Sequence, residues 1–236
     1  MNHREFHPYL MEGQIDGATK LILGSFPVYA YTDPDNIEKQ KIRNTEGTVR
    51  FFYGSCKSRF WGLYHQYVDN NVTVPVKKSI ALESLKEQKI AMSDTIKSCY
   101  RNEASALDSD LRDIKYNTEM IISLIESGVT KVLCTSKGVL EHFNKRIISK
   151  VPEAKFNDGK TNRFLSDILN HLGGITSLIK KPICSVYDFH GREIFVLAIP
   201  SPGSPQRQAH SFGCKSNYKL NYAISYFEYA FKWIKK

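Results

Sequence analysis

The sequence predicts an α/β fold: a parallel sheet covered by helices on both faces, within a single domain spanning 1–236. Three observations predict it. Short apolar runs at 20–24, 89–92, 131–135 and 193–199 alternate with stretches whose apolar residues recur at helical spacing. Two of those runs end in small residues and proline, at Gly24-Ser25-Phe26-Pro27 and at Pro200-Ser201-Pro202-Gly203-Ser204. Such endings make rigid loops at the carboxyl edge of a sheet, where open α/β folds place ligands. Finally, 42% hydrophobic and 12% aromatic residues over 236 positions, with no Pro/Gly-rich linker and no internal repeat, suffice for one continuous core.

Each element follows from its local pattern. Residues 20–24, Lys-Leu-Ile-Leu-Gly, form the continuous apolar run of a strand buried on both faces. Residues 28–50 are a polar insert with a turn signal at Asp33-Pro34-Asp35-Asn36, and a connector of that length is more often functional or mobile than inert. A helix is predicted over 58–68, with Phe60, Trp61 and Tyr64 on one side and Phe60 and Trp61 assigned to the core. After a polar connector at 69–77, Ile80, Leu82 and Leu85 mark a helix over 79–88, which leads into the strand at 89–92. Asn117 is a good N-cap for a helix over 118–127 with a stripe of Met120, Ile121, Leu124 and Ile125, and Gly128 suits its C′ position. The strand at 131–135 is followed by helices over 137–148 and 161–172. Residues 184–187 can pair with the last strand, 193–199, through a turn at 188–192. The final helix, 217–234, shows Leu220, Ile224, Phe227, Phe231 and Ile234 at helical spacing.

Lys plus Arg is 33 and Asp plus Glu is 24, a net charge of +9 that suits a polyanionic partner such as nucleic acid, or an ordinary basic protein. No apolar run approaches the roughly 20 residues of a membrane helix. The first residues lack the apolar stretch of a signal peptide, so no membrane association and a cytoplasmic location are expected. Cys56, Cys99, Cys134, Cys184 and Cys214 are odd in number and scattered, which argues against a disulfide framework, a zinc CxxC pair or an iron–sulfur ligand set. No metal and no cofactor are expected. His3 and His7 have the i, i+4 spacing of a metal pair, but they stand in an N-terminal segment expected to fray, with no third ligand. There is no Gly-x-Ser-x-Gly around Ser201, no P-loop and no dinucleotide fingerprint. His190 falls in a turn and receives no role.

Several segments together resemble the uracil-DNA glycosylase superfamily, closest to its hypoxanthine-DNA and mismatch-specific branches. Gly24, Ser25, Phe26 and Pro27 match the first motif. Tyr53-Gly54 and Phe60-Trp61 match the aromatic segment that follows it, with Ser58 where those branches carry Asn. Ile90-Ala91-Met92-Ser93-Asp94, then Ser98-Cys99-Tyr100-Arg101 and Ala106-Leu107-Asp108, resemble the second strand region. Val132-Leu133-Cys134-Thr135-Ser136 resembles the third strand, and Pro200-Ser201-Pro202-Gly203-Ser204 the DNA-intercalating loop. The resemblance implies a three-layer α/β/α sandwich around a four-stranded parallel sheet of order 2-1-3-4. It also implies a pocket between the ends of the first and last strands, DNA as partner and base excision without metal. A monomer is expected.

The residue types suit that chemistry. Base excision needs the nucleotide to leave the stack and enter a pocket. The resemblance places Gly24, Ser25, Phe26, Pro27 and Tyr53 around the base, with Tyr53 either stacking on it or serving as a core aromatic. Asp94, an acceptor-only carboxylate, suits a base edge that offers N–H, or the positive charge of an oxocarbenium-like transition state. The alternative for Asp94 is a helix N-cap before Thr95, Ile96 and Lys97. Phe26 cannot hold the hydrolytic water, and the resemblance gives that place to Ser58, a shorter group than the Asn it replaces. Pro200, Ser201, Pro202, Gly203 and Ser204 would approach the DNA backbone, and Gln206 and Arg207 the duplex, unless Arg207 is a plain surface charge. The leading expectation is excision of a deaminated base, uracil or hypoxanthine. The others are a non-catalytic nucleic-acid-binding member of the fold, or a hydrolase of a small nucleoside-like substrate with 28–50 covering the DNA face.

Overall fold

The computed structural model describes residues 3–32, 49–55, 58–103, 108–202, 205–215 and 219–236. In chain order the elements are β1 (Glu5–Phe6), β2 (Lys20–Gly24), α1 (Phe60–Tyr67), α2 (Lys78–Glu87), β3 (Ile90–Asp94), β4 (Ile96–Arg101), β5 (Leu111–Tyr116) and α3 (Thr118–Ser127). There follow β6 (Lys131–Cys134), α4 (Lys137–His142), which runs into a π-helical turn at Phe143–Ile147, then β7 (Lys155–Phe156), α5 (Asp158–Leu172), β8 (Cys184–Phe189), β9 (Arg192–Ala198), α6 (Pro205–Gln208) and α7 (Lys219–Lys235). Most of the 28–50 insert, residues 33–48, lies outside the described residues.

The main sheet has the order β3-β2-β6-β9-β8-β7. Its first four strands run parallel and are buried almost throughout. The expectation of a four-stranded sheet is corrected to six, because β8 and β7 extend it antiparallel beyond β9. The extension is local in origin. His190 and Gly191 form the two-residue turn between β8 and β9, with φ of 48° and 76°, the left-handed pair a tight hairpin requires.

Both faces of the sheet are covered. Phe195 of β9 meets Phe164 of α5, which in turn meets Trp233 of α7. Tyr187 of β8, one register step from the Phe195 partner Val186, points the other way and meets Phe143 beyond α4. Helices α5 and α7 therefore lie on one face and the α4 turn on the other. Phe60 of α1 joins the α7 side through Phe231. This is a three-layer arrangement, with Phe60 and Trp61 in the core at 0% and 3% exposure.

Element ends follow side-chain caps. Helix α5 starts three residues before the expected 161 because the Asn157 side chain accepts from Lys160 N at 2.9 Å. Helix α4 is capped by Ser136, which accepts from Val139 N at 3.2 Å. Asn117 stands at the N-cap of α3 but does not cap with its side chain. Its amide instead donates to Ser93 Oγ at 3.0 Å and to the Asp94 carbonyl at 3.3 Å.

A second, antiparallel sheet of order β1-β4-β5 was not expected. Only Thr95 separates β3 from β4, and the chain stays bonded to the first loop as it leaves the main sheet. Thr95 N donates to Gly24 O at 2.9 Å and Ile96 N to Ser25 O at 3.1 Å. Within the small sheet, Arg101 and Glu5 form a buried ion pair, Nε to Oε2 at 3.1 Å, with exposures of 2% and 1%. The Arg101 guanidinium also donates to Pro27 O at 3.0 Å and lies 5.8 Å from the Phe26 ring, so it braces the loop after β2.

Candidate active site at the carboxyl ends of the parallel strands

Strands β2, β3, β6 and β9 end at the same edge of the sheet, with Gly24, Asp94, Cys134 and Ala198 as their last residues. Gly24 and Asp94 are register partners, so their side-chain positions share one face. A Cβ on Gly24 would lie 2.1 Å from Asp94 Oδ1 and 2.2 Å from the Tyr53 hydroxyl. The missing side chain leaves room for two oxygens to converge.

Asp94 is 5% exposed and ends a strand that continues into β4, which removes the N-cap alternative. Its Oδ2 lies 2.8 Å from His7 Nε2, while Oδ1 is buried with no partner among the described residues. A buried, unmatched carboxylate oxygen is costly, roughly 1–3 kcal/mol or more, and calls for a partner. An N–H from a ligand is such a partner.

Tyr53 supplies the second oxygen. Its φ of 53° is a left-handed conformation rare for an aromatic residue and a cost of order 1–3 kcal/mol. The ring is held there by stacking on Phe60, centroids 4.4 Å apart, and by a 3.1 Å hydrogen bond to Thr135 Oγ1. Thr135, directly after β6, donates that hydroxyl to Leu23 O at 3.3 Å, so Tyr53 is the donor to Thr135. Burial, with the nearby Asp94 carboxylate, pushes the phenol well above its usual value, so it stays protonated. Its lone pair is left as a second acceptor near Asp94 Oδ1. One face of the Tyr53 ring packs on Phe60, as a core aromatic does, and the hydroxyl lies beside the space over Gly24.

The rim carries Asp108 and His142. Desolvation raises the Asp108 carboxyl above the usual aspartate value, against the opposing pull of Ser25 and His142. Burial lowers the His142 imidazole, against the opposing pull of Asp108 and Glu141. Its Nδ1 is 3.4 Å from Thr95 Oγ1, and its ring meets the Tyr116 ring edge-on at 5.4 Å.

The remaining sequence-derived residues divide as follows. Ser25 is half-buried in the loop after β2. The Phe26 ring packs with Ile96, Cys99 and Leu111 of the small sheet, and the Pro27 carbonyl is taken by Arg101. The Ser58 hydroxyl accepts from Phe60 N at 3.3 Å at the start of α1, a local contact. Pro200 and Pro202 are buried, and Ser201 N donates to Gln208 Oε1 at 2.9 Å, which ties the last loop to α6. Gly203 and Ser204 lie outside the described residues. Gln206 and Arg207 are exposed on α6. Among the described residues no three His, Cys, Asp or Glu side chains come together as a metal site, and no helix is long and apolar enough to cross a membrane.

The sequence assigns no role in this site to His7, Thr135, Asp108 or His142. The sequence places His7 in a segment expected to fray, yet its side chain is fully buried. The pairing of β1 with β4 that fixes it links residues more than ninety positions apart and leaves no local signal.

No model of a known protein family matches the chain, and no curated protein matches it. Among solved structures, a solution NMR structure from Methanosarcina acetivorans, whose own description as a uracil DNA glycosylase is provisional, is similar at 17% identity and a TM-score of 0.48, covering 99% of this chain and 98% of that one. A likeness at that level carries no argument about activity.

Proposed function

We propose that the chain is a monofunctional DNA glycosylase that flips a deaminated base, uracil or hypoxanthine, out of the duplex and hydrolyses its N-glycosidic bond without metal or cofactor. The observation that carries this reading is the unmatched Asp94 Oδ1 beside the Tyr53 oxygen, over a glycine at a strand end. An acceptor-only carboxylate oxygen suits the single ring N–H of uracil (N3–H) or hypoxanthine (N1–H) and disfavours the ring-nitrogen lone pair that cytosine (N3) or adenine (N1) presents in the same place. A charge-assisted hydrogen bond of this kind is worth about 1.5–3 kcal/mol. The same carboxylate would stabilise positive charge on the departing sugar. The net charge of +9 and the exposed Arg207 on α6 suit a DNA partner.

Single-turnover excision on oligonucleotides tests the reading. Asp94→Ala is expected to lose at least roughly 100-fold in rate with the fold intact by circular dichroism. Ser58→Asn is expected to raise the rate on at least one deaminated base. Its amide reaches farther than a hydroxyl, offers both donor and acceptor, and can still accept from Phe60 N. Activity that survives Asp94→Ala rejects the role of Asp94. A second reading, a non-catalytic nucleic-acid-binding protein, is favoured by the local engagement of Ser58, and absence of excision by wild type and Ser58→Asn alike would select it.

Arg207→Ala is expected to weaken DNA binding and to reduce the slope of log affinity against log salt by about one unit, the signature of a lost phosphate contact. Titrations over a salt series check it, and an unchanged slope would assign Arg207 to the solvated surface.

A further inference from the structure

We propose that His7 is the positioning residue of this site, locking the Asp94 carboxylate so that Oδ1 alone is presented as an acceptor. The inference rests on the reading of Asp94 given above and adds how that side chain is held. Tyr9 N donates to His7 Nδ1 at 3.1 Å, so Nδ1 carries a lone pair and the ring proton sits on Nε2. That Nε2–H then donates to Asp94 Oδ2 at 2.8 Å. An imidazole bonded this way at Nδ1 is neutral, so it orients the carboxylate without cancelling its charge.

The ring has no freedom to turn. Its side chain is 0% exposed and packed against Phe52 at 5.2 Å between centroids, with Tyr9 and Phe26 edge-on at 6.0 Å each. The backbone is equally fixed: Glu5 and Phe6 pair with Cys99 and Ser98 of β4, and His7 N donates to Lys97 O at 2.9 Å. Glu5, two residues before His7, is anchored by Arg101. Of the groups around the carboxylate, Tyr53 and Asp108 act on it only through their charge or dipole, and Asn117 bonds the Asp94 carbonyl rather than its side chain. Among the described residues His7 is thus the hydrogen-bond donor to the carboxylate. The N-terminal strand is part of the site's machinery: it delivers one N–H to one oxygen and leaves the other free.

The test combines a spectroscopic signature with a rescue. In the full-length protein, ¹⁵N NMR of His7 is expected to show protonated Nε2 and unprotonated Nδ1. The opposite tautomer, or signals averaged between the two, overturns the proposal. In single-turnover assays His7→Leu is expected to lose roughly 100-fold in rate with little change in DNA affinity, the effect of a misplaced reacting group. His7→Gln, whose amide N–H can reach the same oxygen, is expected to restore most of that rate. A wild-type rate in His7→Leu overturns the proposal, as does a Gln variant no better than Leu. Should wild type excise nothing, the glycosylase reading fails and the tautomer alone decides for or against His7. Should His7→Leu fail to fold, the tautomer and the Gln variant decide.

Discussion

Gly24→Ala is expected to destabilise the protein by about 1–3 kcal/mol and to lower excision by roughly 100-fold. The new Cβ would lie 2.1 Å from Asp94 Oδ1 and 2.2 Å from the Tyr53 hydroxyl, distances at which something must move. Neither neighbour can retreat at low cost. Asp94 is tied back to His7 through Oδ2, and Tyr53 is pinned between Phe60 and Thr135 in a left-handed backbone conformation. The methyl group therefore occupies the space the two acceptors share, and the site loses its geometry even where the fold survives. Urea unfolding gives the stability change and single-turnover excision the functional one. An alanine variant with wild-type stability and rate would show that the two oxygens do not converge over Gly24.

Breaking the buried ion pair should have the larger effect on stability. Arg101→Leu is expected to cost about 3–5 kcal/mol, because it leaves the Glu5 carboxylate buried with no cation. Thr32 Oγ1, which donates to Glu5 Oε2 at 2.5 Å, compensates only in part. The Pro27 carbonyl loses its donor as well, so the loop after β2 and the strand that carries His7 loosen together. The double variant Glu5→Leu with Arg101→Leu is expected to be less destabilised than the two single changes added, since no charge is then left alone. A double-mutant cycle in urea measures the coupling. Additive single effects would show that the pair contributes no interaction of its own.

What the sequence reveals and what it hides follow from the range of the interactions. Strand β2 and helix α3 are legible because each is set by its own residues: a continuous apolar run closed by Gly24, and a helical stripe closed by Gly128, whose φ is 137°. The hairpin of β8 and β9 is legible for the same reason, through Gly191. The small sheet is hidden. Strand β1 is two residues long, β4 follows β3 after a single residue, and β4 and β5 pair with register shifts that break any alternation. Half of the site is hidden with it. Gly24 stands at a strand end that the local pattern marks, and Tyr53 and Asp94 are reached through the family resemblance, whereas His7 reaches Asp94 across 87 residues only because β1 pairs with β4. The role of Asp94 could not be decided locally either, since Thr95, Ile96 and Lys97 read equally as the start of a helix or of a strand.

The central claim is that Asp94 Oδ1, beside the Tyr53 oxygen, accepts from the ring N–H of a deaminated base in DNA. Its most direct test is an abasic-site cleavage assay with the wild-type protein on oligonucleotides that carry uracil, hypoxanthine, xanthine or a G:T pair, beside matched strands with only cytosine and adenine. The account predicts abasic sites at uracil or hypoxanthine and none at cytosine or adenine, with the signal lost in Asp94→Ala. Cleavage at cytosine or adenine as readily as at a base with a ring N–H, or no cleavage of any deaminated base, would contradict it.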